Sequence, residues 1–388
     1  MQPAATFIFS QEGVYQFEVV VTNSAGKESR DTATRIALQD TVCSASRTTM
    51  IQPQLLEITT SPETGTMPSM NMVGSKIYIA GGFVPEFPND YMQGDNFHSD
   101  TVLIFDLETR TWKTEKLSSS RTPFSITPAS GDLVLFVGGS KYYGVSDVID
   151  MYNTGTGQMK QVKMPATRVT GAIAVVDNKL VIAGGSAYWY PYPSSDRVDV
   201  YDITSNTWTE RKLSLPRHIA STFSDGARLY FGGGTTGSNA GSQSNLIEIF
   251  DPLTGNFTST TVNGPGGWIQ GAAFPSGMLW TTGYNQSTST YSPYIELQDR
   301  QGKVISMDCL PSSFLKSTPV VEKLNDQTVC FDSRNTIALY EPGTRTWKEG
   351  QLPVAMEAVF SFNGKLYGIH RETQSGWRSP LKISEIRY

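Results

Sequence analysis

The amino-acid sequence predicts an all-β protein built as a propeller of seven small sheets, six being the alternative count, with a short β segment at its N-terminal end. Three observations carry this. A short apolar strand introduced by a turn recurs six times: SKIYIAGG (75–82), GDLVLFVGG (131–139), NKLVIAGG (178–185), ARLYFGGG (227–234), GMLWTTGY (277–284) and GKLYGIH (364–370). A second strand follows each of them: TVLIFD, DVIDMYN, RVDVYD, LIEIFD, YIELQD and TIALYE. The marks recur about every 48 residues, the period of a four-stranded propeller blade.

The remaining strands complete the blades. A third segment carries an aromatic in TRTWKTEKL, SNTWTERKL, GNFTSTT and TRTWKEG, whereas Gln158–Met164 and Lys303–Cys309 lack it. Inner strands start near 69, 123, 168, 217, 268, 318 and 354. The last unit runs out at Lys382–Tyr388, one strand short. Ile51–Thr60 (IQPQLLEITT) precedes the first unit and is placed to supply that strand, closing the ring and removing its open edge. Paired glycines are expected where blades crowd toward the axis and no side chain fits. The outer aromatic is expected to fill the wedge between neighbouring blades.

The GG doublet, the Tyr/Phe-Asp and the Trp about six residues later resemble the kelch repeat from about residue 48 to Tyr388. That resemblance implies a kelch-type β-propeller over 51–388. Residues 1–40 break the period and read as three strands, with turns at Gln11–Gly13 and Asn23–Gly26. The stretch GVYQFEVVVTNSAGKES resembles the C-terminal half of a PKD-type immunoglobulin-like domain, and 41–50 reads as a linker. Modules of that type imply a cell-surface or secreted protein.

Composition narrows the function. Hydrophobic residues make up 38% and charged residues 17%, with 35 Gly, 18 Phe, 17 Tyr and 7 Trp. This is the profile of a turn-rich β protein. A formal net charge of -5 argues against a broad nucleic-acid surface. No apolar run reaches the ~18 residues of a membrane helix, and the first residues do not have the pattern of a signal peptide. Cys309 and Cys330 are expected as buried apolar thiols; one disulfide with one leftover thiol is the other reading. His98, His218 and His370 lie far apart, so the sequence calls for no metal, no cofactor and no catalytic cluster.

Candidate site residues follow from the order of strands. If the four strands of a blade alternate in direction, the long second-to-third loops and the blade-to-blade linkers share one face, and long loops on a rigid scaffold are where recognition concentrates. The loops carry Tyr142, Tyr143, Tyr188, Trp189, Tyr190, Tyr284 and Trp377; the linkers carry Arg121, Arg168, Arg217, His218 and Trp268. Exposed rings suit protein or sugar recognition. Three guanidinium groups in an arc suit an acidic ligand. The other reading of each arginine is structural, bonded to blade carbonyls.

The expectation is therefore a recognition propeller, extracellular or at the cell surface, holding a protein or glycan ligand, with no nucleic acid and no membrane insertion. Two further readings stand beside it. One is a carbohydrate-active kelch enzyme: a galactose-oxidase-like member needs two His and two Tyr on copper, and a sialic-acid mutarotase needs a carboxylate and an arginine, here Glu357 with Arg217 and Arg371. The other is a structural module without a ligand of its own.

Overall fold

A computed structural model describes residues 13–22, 28–37, 48–62, 64–83, 98–141, 144–169, 171–186, 193–237, 242–264, 266–281, 283–285, 289–292, 294–314, 319–326, 328–333, 335–371 and 380–388; side chains are described except at 13–37, 285 and 329–333. Seven antiparallel sheets follow one another along the chain and form a propeller. Blade one shows the pattern: Ser69–Val73 innermost, then Lys76–Ala80, Thr101–Asp106 and Thr111–Lys116 at the rim. Exposure follows this order. The second and third strands are almost wholly buried, and the outer strand alternates between half-buried and exposed.

The core is distributed around the ring. Among the described residues, seven apolar clusters are found, each shared by two adjacent blades. The cluster joining blade seven to blade one packs Phe360, Ile369 and Ile383 against Ile77, Ile79 and Phe105. The outer-strand aromatics lie in these seams. Trp112 packs on Phe105 at 4.9 Å, Trp208 on Tyr201 at 4.8 Å, Phe257 on Phe250 at 5.1 Å and Trp347 on Tyr340 at 4.5 Å. Each ring thus buries a large apolar area where the blades splay apart.

Blade seven contains Ala358–Phe362, Lys365–Arg371, Leu381–Arg387 and, as its outer strand, Gln54–Thr60 running antiparallel to Leu381–Arg387. Trp112 of blade one donates its indole N–H to Thr59 Oγ1 at 3.1 Å, so the closing strand is held on both sides. Just before it, Thr48–Met50 forms a strand, not the linker expected there, and lies parallel to the outer strand of blade six. One continuous segment therefore edges two consecutive blades. In the N-terminal region, Gly13–Thr22 and Glu28–Ala37 form an antiparallel pair. The strand expected before residue 11 lies outside the described residues.

The glycine pairs work differently from expectation. They follow the second strand, not the innermost one, and what crowds them is the backbone of the blade-to-blade linkers. A Cβ on Gly81 would stand 2.1 Å from Arg121 O, and one on Gly234 would stand 1.7 Å from His218 O; both glycines have positive φ. Gly185 N–H donates to Arg217 O at 3.0 Å, and Gly234 N–H donates to Gly266 O at 2.9 Å. The doublets thus let the linkers lie directly on the loop face. Gly234→Ala is expected to lower stability by at least about 2 kcal/mol in denaturant unfolding, because a clash adds to the backbone strain. Gly74→Ala, with φ +60 and nothing within 4 Å, should cost only about 1 kcal/mol.

Candidate functional site

The long-loop face is assembled from linkers and loop bases. Isolated bridges pair Thr122 with Ser140, Val169 with Ser186, and His218 with Thr235. Each linker thereby runs beside the base of the loop of the blade it leads into. Tyr142, Tyr143, Tyr188, Trp189, Tyr190 and Trp377 lie outside the described residues.

Arg121, Arg168 and Arg217 require a correction. They stand at equivalent places, four residues beyond Leu117, Met164 and Leu213, but none presents its charge to a ligand. Their exposures are 0%, 4% and 0%. Arg121 meets Asp150 at 2.9 Å and Arg217 meets Glu248 at 2.9 Å, while Arg168 bonds Asp199. Each carboxylate sits on the third strand of the blade that its arginine leads into. The guanidinium groups also bond that blade's carbonyls: Arg121 Nε donates to Gly138 O at 2.8 Å, and Arg217 Nη2 donates to Phe231 O at 3.1 Å. Burial pulls all three guanidinium pKa values down, and the paired carboxylates oppose that shift.

The carboxylates hold the linkers as well. Asp150 accepts from Ser118 N at 2.9 Å and Glu248 from Ser214 N at 2.6 Å. In blade three the equivalent linker residue is Pro165, which has no N–H to give. There Arg197 supplies the extra donor, its Nε lying 2.9 Å from Asp199 Oδ1. These side chains are structural staples. The sequence signal for them was the acid at the third position of VIDMYN and RVDVYD and in LIEIFD.

Blade five keeps the acid and loses the arginine. Glu296 is fully buried, and Gly266 occupies the arginine position. A Cβ on Gly266 would come 2.0 Å from Ser244 O, so no larger residue fits the path of this linker. Glu296 accepts instead from Asn263 N at 2.8 Å, Asn263 Nδ2 at 3.0 Å and Gln298 Nε2 at 2.5 Å. Desolvation raises its pKa, and these hydrogen bonds counter only part of that rise.

The same linker carries Trp268, which is 55% exposed. Trp268, Thr281 and Tyr291 border a shallow groove with Leu310, Phe314 and Pro319 from the linker into blade six. Tyr284 packs at a tilt on Tyr291, with ring centroids 4.9 Å apart, within a short hairpin of blade five. Trp268 and Tyr284, two of the expected site residues, therefore belong to one neighbourhood. Leu310, Phe314 and Pro319 were not foreseen, because they lie in the linker between two predicted strands, Phe314 in a short 3-10 turn over Ser312–Phe314. Immediately before Leu310, Cys309 is disulfide-bonded, not the free apolar thiol expected; the side chain of Cys330 lies outside the described residues.

The histidines are built into the frame. His98 Nδ1 lies 3.2 Å from Thr122 Oγ1 and its ring packs on Phe83, and His370 Nε2 lies 3.0 Å from Ser384 Oγ. His218 is half-buried, and its backbone bonds Thr235. Arg371 Nε donates to Glu357 at 2.6 Å in blade seven, while Arg217 is tied to Glu248 in blade four. Of the carboxylate and arginines expected to act together, Glu357 and Arg371 are thus brought into contact, while Arg217 stands in another blade. Among the described residues, no three of His, Cys, Asp and Glu gather as a metal site.

A ring of seven four-stranded blades, with glycine pairs under the linkers and aromatics on the outer strands, is a kelch-type propeller, a class of protein-binding module. The chain belongs to the KLHDC2/KLHL20/DRC7 Kelch-repeats domain family, whose pattern matches residues 68–269. It is also similar to Kelch repeat protein C2 of vaccinia virus, strain Western Reserve, with 28% identity over 153 residues. That match covers 38% of this chain and 27% of the viral protein; the same protein of strain Copenhagen gives the same values.

Two outcomes follow from the staples. Arg217→Met should destabilise the fold by about 3–5 kcal/mol by leaving Glu248 buried and unpaired, and adding Glu248→Leu should recover much of that loss in a double-mutant cycle. Glu296 gives a pH dependence of opposite sense to an ordinary salt-bridged acid. Its folded pKa is raised, so as pH climbs above the usual 4.5 the unfolded chain gives up this proton first. Its contribution to stability therefore falls with rising pH from there to the folded value. Glu296→Gln should flatten that fall in unfolding curves taken between about pH 4.5 and 8.

Proposed function

We propose that this chain is a recognition propeller that binds a segment of a partner protein on its long-loop face, with Trp268 as the aromatic anchor. The observation that carries the reading is a tryptophan left 55% exposed beside a groove of otherwise packed aromatic and apolar side chains. Large rings of this kind contribute most of the affinity in many interfaces, because they bury wide area with little entropy loss. The preference for an acidic ligand falls away with the three arginines, whose charge is compensated inside the blades. The exposed ring of Trp268 instead suits an apolar surface of the partner.

The disulfide at Cys309 supports an oxidising compartment, in keeping with an extracellular or cell-surface location. The strand pair at Gly13–Thr22 and Glu28–Ala37 is compatible with the proposed PKD-like fragment. No helix among the described residues is long and apolar enough to cross a membrane.

Panning a random peptide display library on the full chain tests the proposal. Enriched peptides should share an apolar anchor, and Trp268→Ala should weaken them at least about tenfold while thermal unfolding stays unchanged. Equal binding by the variant would overturn the assignment of Trp268. Binding confined to a glycan array would transfer the face to carbohydrate recognition.

A further inference from the structure

We propose that Asn256 is a site of N-linked glycosylation, and that the glycan shields the outer edge of blade four. The inference rests on the oxidising compartment argued above, where such transfer takes place. Asn256-Phe257-Thr258 has the acceptor pattern Asn-x-Ser/Thr without proline at the middle position. A three-residue pattern often arises by chance, so its place in the fold decides. The side chains of the other match, Asn285-Gln286-Ser287, lie outside the described residues.

Asn256 ends the turn that leads into the outer strand of blade four, Phe257–Thr261. Asp251 pins that turn: its Oδ1 accepts from Leu253 N at 2.9 Å and from Thr254 N at 3.2 Å, and its backbone N–H donates to Asn256 O at 3.0 Å. Phe257 then packs on Phe250, so the residues on either side of it take the other face of the extended chain. Asn256 and Thr258 are both exposed. The turn belongs to the short-turn face, opposite Trp268, so a glycan there leaves the loop face open.

The strand that follows is the independent observation. It ends its sheet, so its outward N–H and C=O groups form an open edge. Such edges are normally guarded by charge. The outer strands of the other six blades each carry a charged side chain: Lys113, Lys160, Arg211, Asp308, Lys348 and Glu57. Phe257–Thr261 (FTSTT) carries none. Short uncharged runs of high β-propensity are the segments most prone to pair between molecules. Leu253, in the turn before it, adds an apolar side chain that is 85% exposed. A bulky hydrophilic sugar at Asn256 would cover both. The transfer joins Asn256 Nδ2 to C1 of the first sugar of a lipid-pyrophosphate-linked oligosaccharide. The bond from C1 to the pyrophosphate oxygen breaks, the lipid pyrophosphate leaves with that electron pair, and one amide proton passes to a base.

Secretion of the full chain from a eukaryotic host, followed by mass spectrometry of an unreduced digest, tests the site. The peptide holding Asn256 should carry a glycan; Thr258→Ser should keep it, and Thr258→Ala should lose it. Thr258→Ala should also begin to scatter light at a lower protein concentration than wild type. Thr258→Lys, equally without glycan, should return to the wild-type threshold, because charge then guards the edge. Thermal unfolding of these variants should stay close to wild type. Asn256 bare while Cys309 is in its disulfide would overturn the site alone. Asn256 bare with Cys309 a free thiol would overturn the compartment as well, and the site with it. A glycosylated chain no more soluble than Thr258→Ala would overturn the shielding role. Trp268→Ala should leave the glycan in place, which separates this outcome from that of the loop-face proposal.

Discussion

Everything on the loop face depends on how the chain crosses from one blade to the next. Each linker runs from the rim of one sheet to the inner edge of its neighbour, over backbone that water cannot reach freely. Such a crossing needs partners for its N–H groups and room for close approach. In blades two and four a buried carboxylate supplies the partner, and in blades two to four a guanidinium group neutralises the carboxylate. The glycine pairs supply the room. Neither device suffices alone, since an unpaired buried acid is costly and a side chain at Gly81 or Gly234 would strike the linker backbone.

Blade five shows what happens when the pattern is interrupted. The linker presses so closely on Ser244 that only Gly266 fits where an arginine would stand. Glu296 is then left with neutral donors, and the chain turns Trp268 outward. The candidate recognition groove and the loss of the arginine thus belong to one local change of path. Specificity on a repeat scaffold arises in this way, from the unit that departs from its siblings.

The ring itself was legible in the sequence, because the glycine pairs, the Tyr/Phe-Asp ends and the outer aromatics each report a local need of the blade. The arginines were misread because their partners lie about 30 residues downstream on another strand; Arg168 and Asp199, 31 apart, are an example. Linear spacing displays the cation without showing what neutralises it. Strand order alone assigned Trp268 and Tyr284 to one face, and the structure makes them neighbours through Tyr291. Leu310, Phe314 and Pro319 were missed since apolar residues beside a strand normally read as core.

The segment Thr48–Thr60 sets the order in which the molecule can be completed. Gln54–Thr60 pairs with Leu381–Arg387, more than 300 residues later in the chain. During synthesis that strand leaves the ribosome more than 300 residues before its partner and must wait, unpaired, until that partner has been made. Contacts of such long range are slow to form, and a waiting edge is open to pairing with the wrong neighbour. The ring's final seam is therefore also its kinetic weak point, where a nascent or partly opened molecule is most exposed to exchange of strands with another copy.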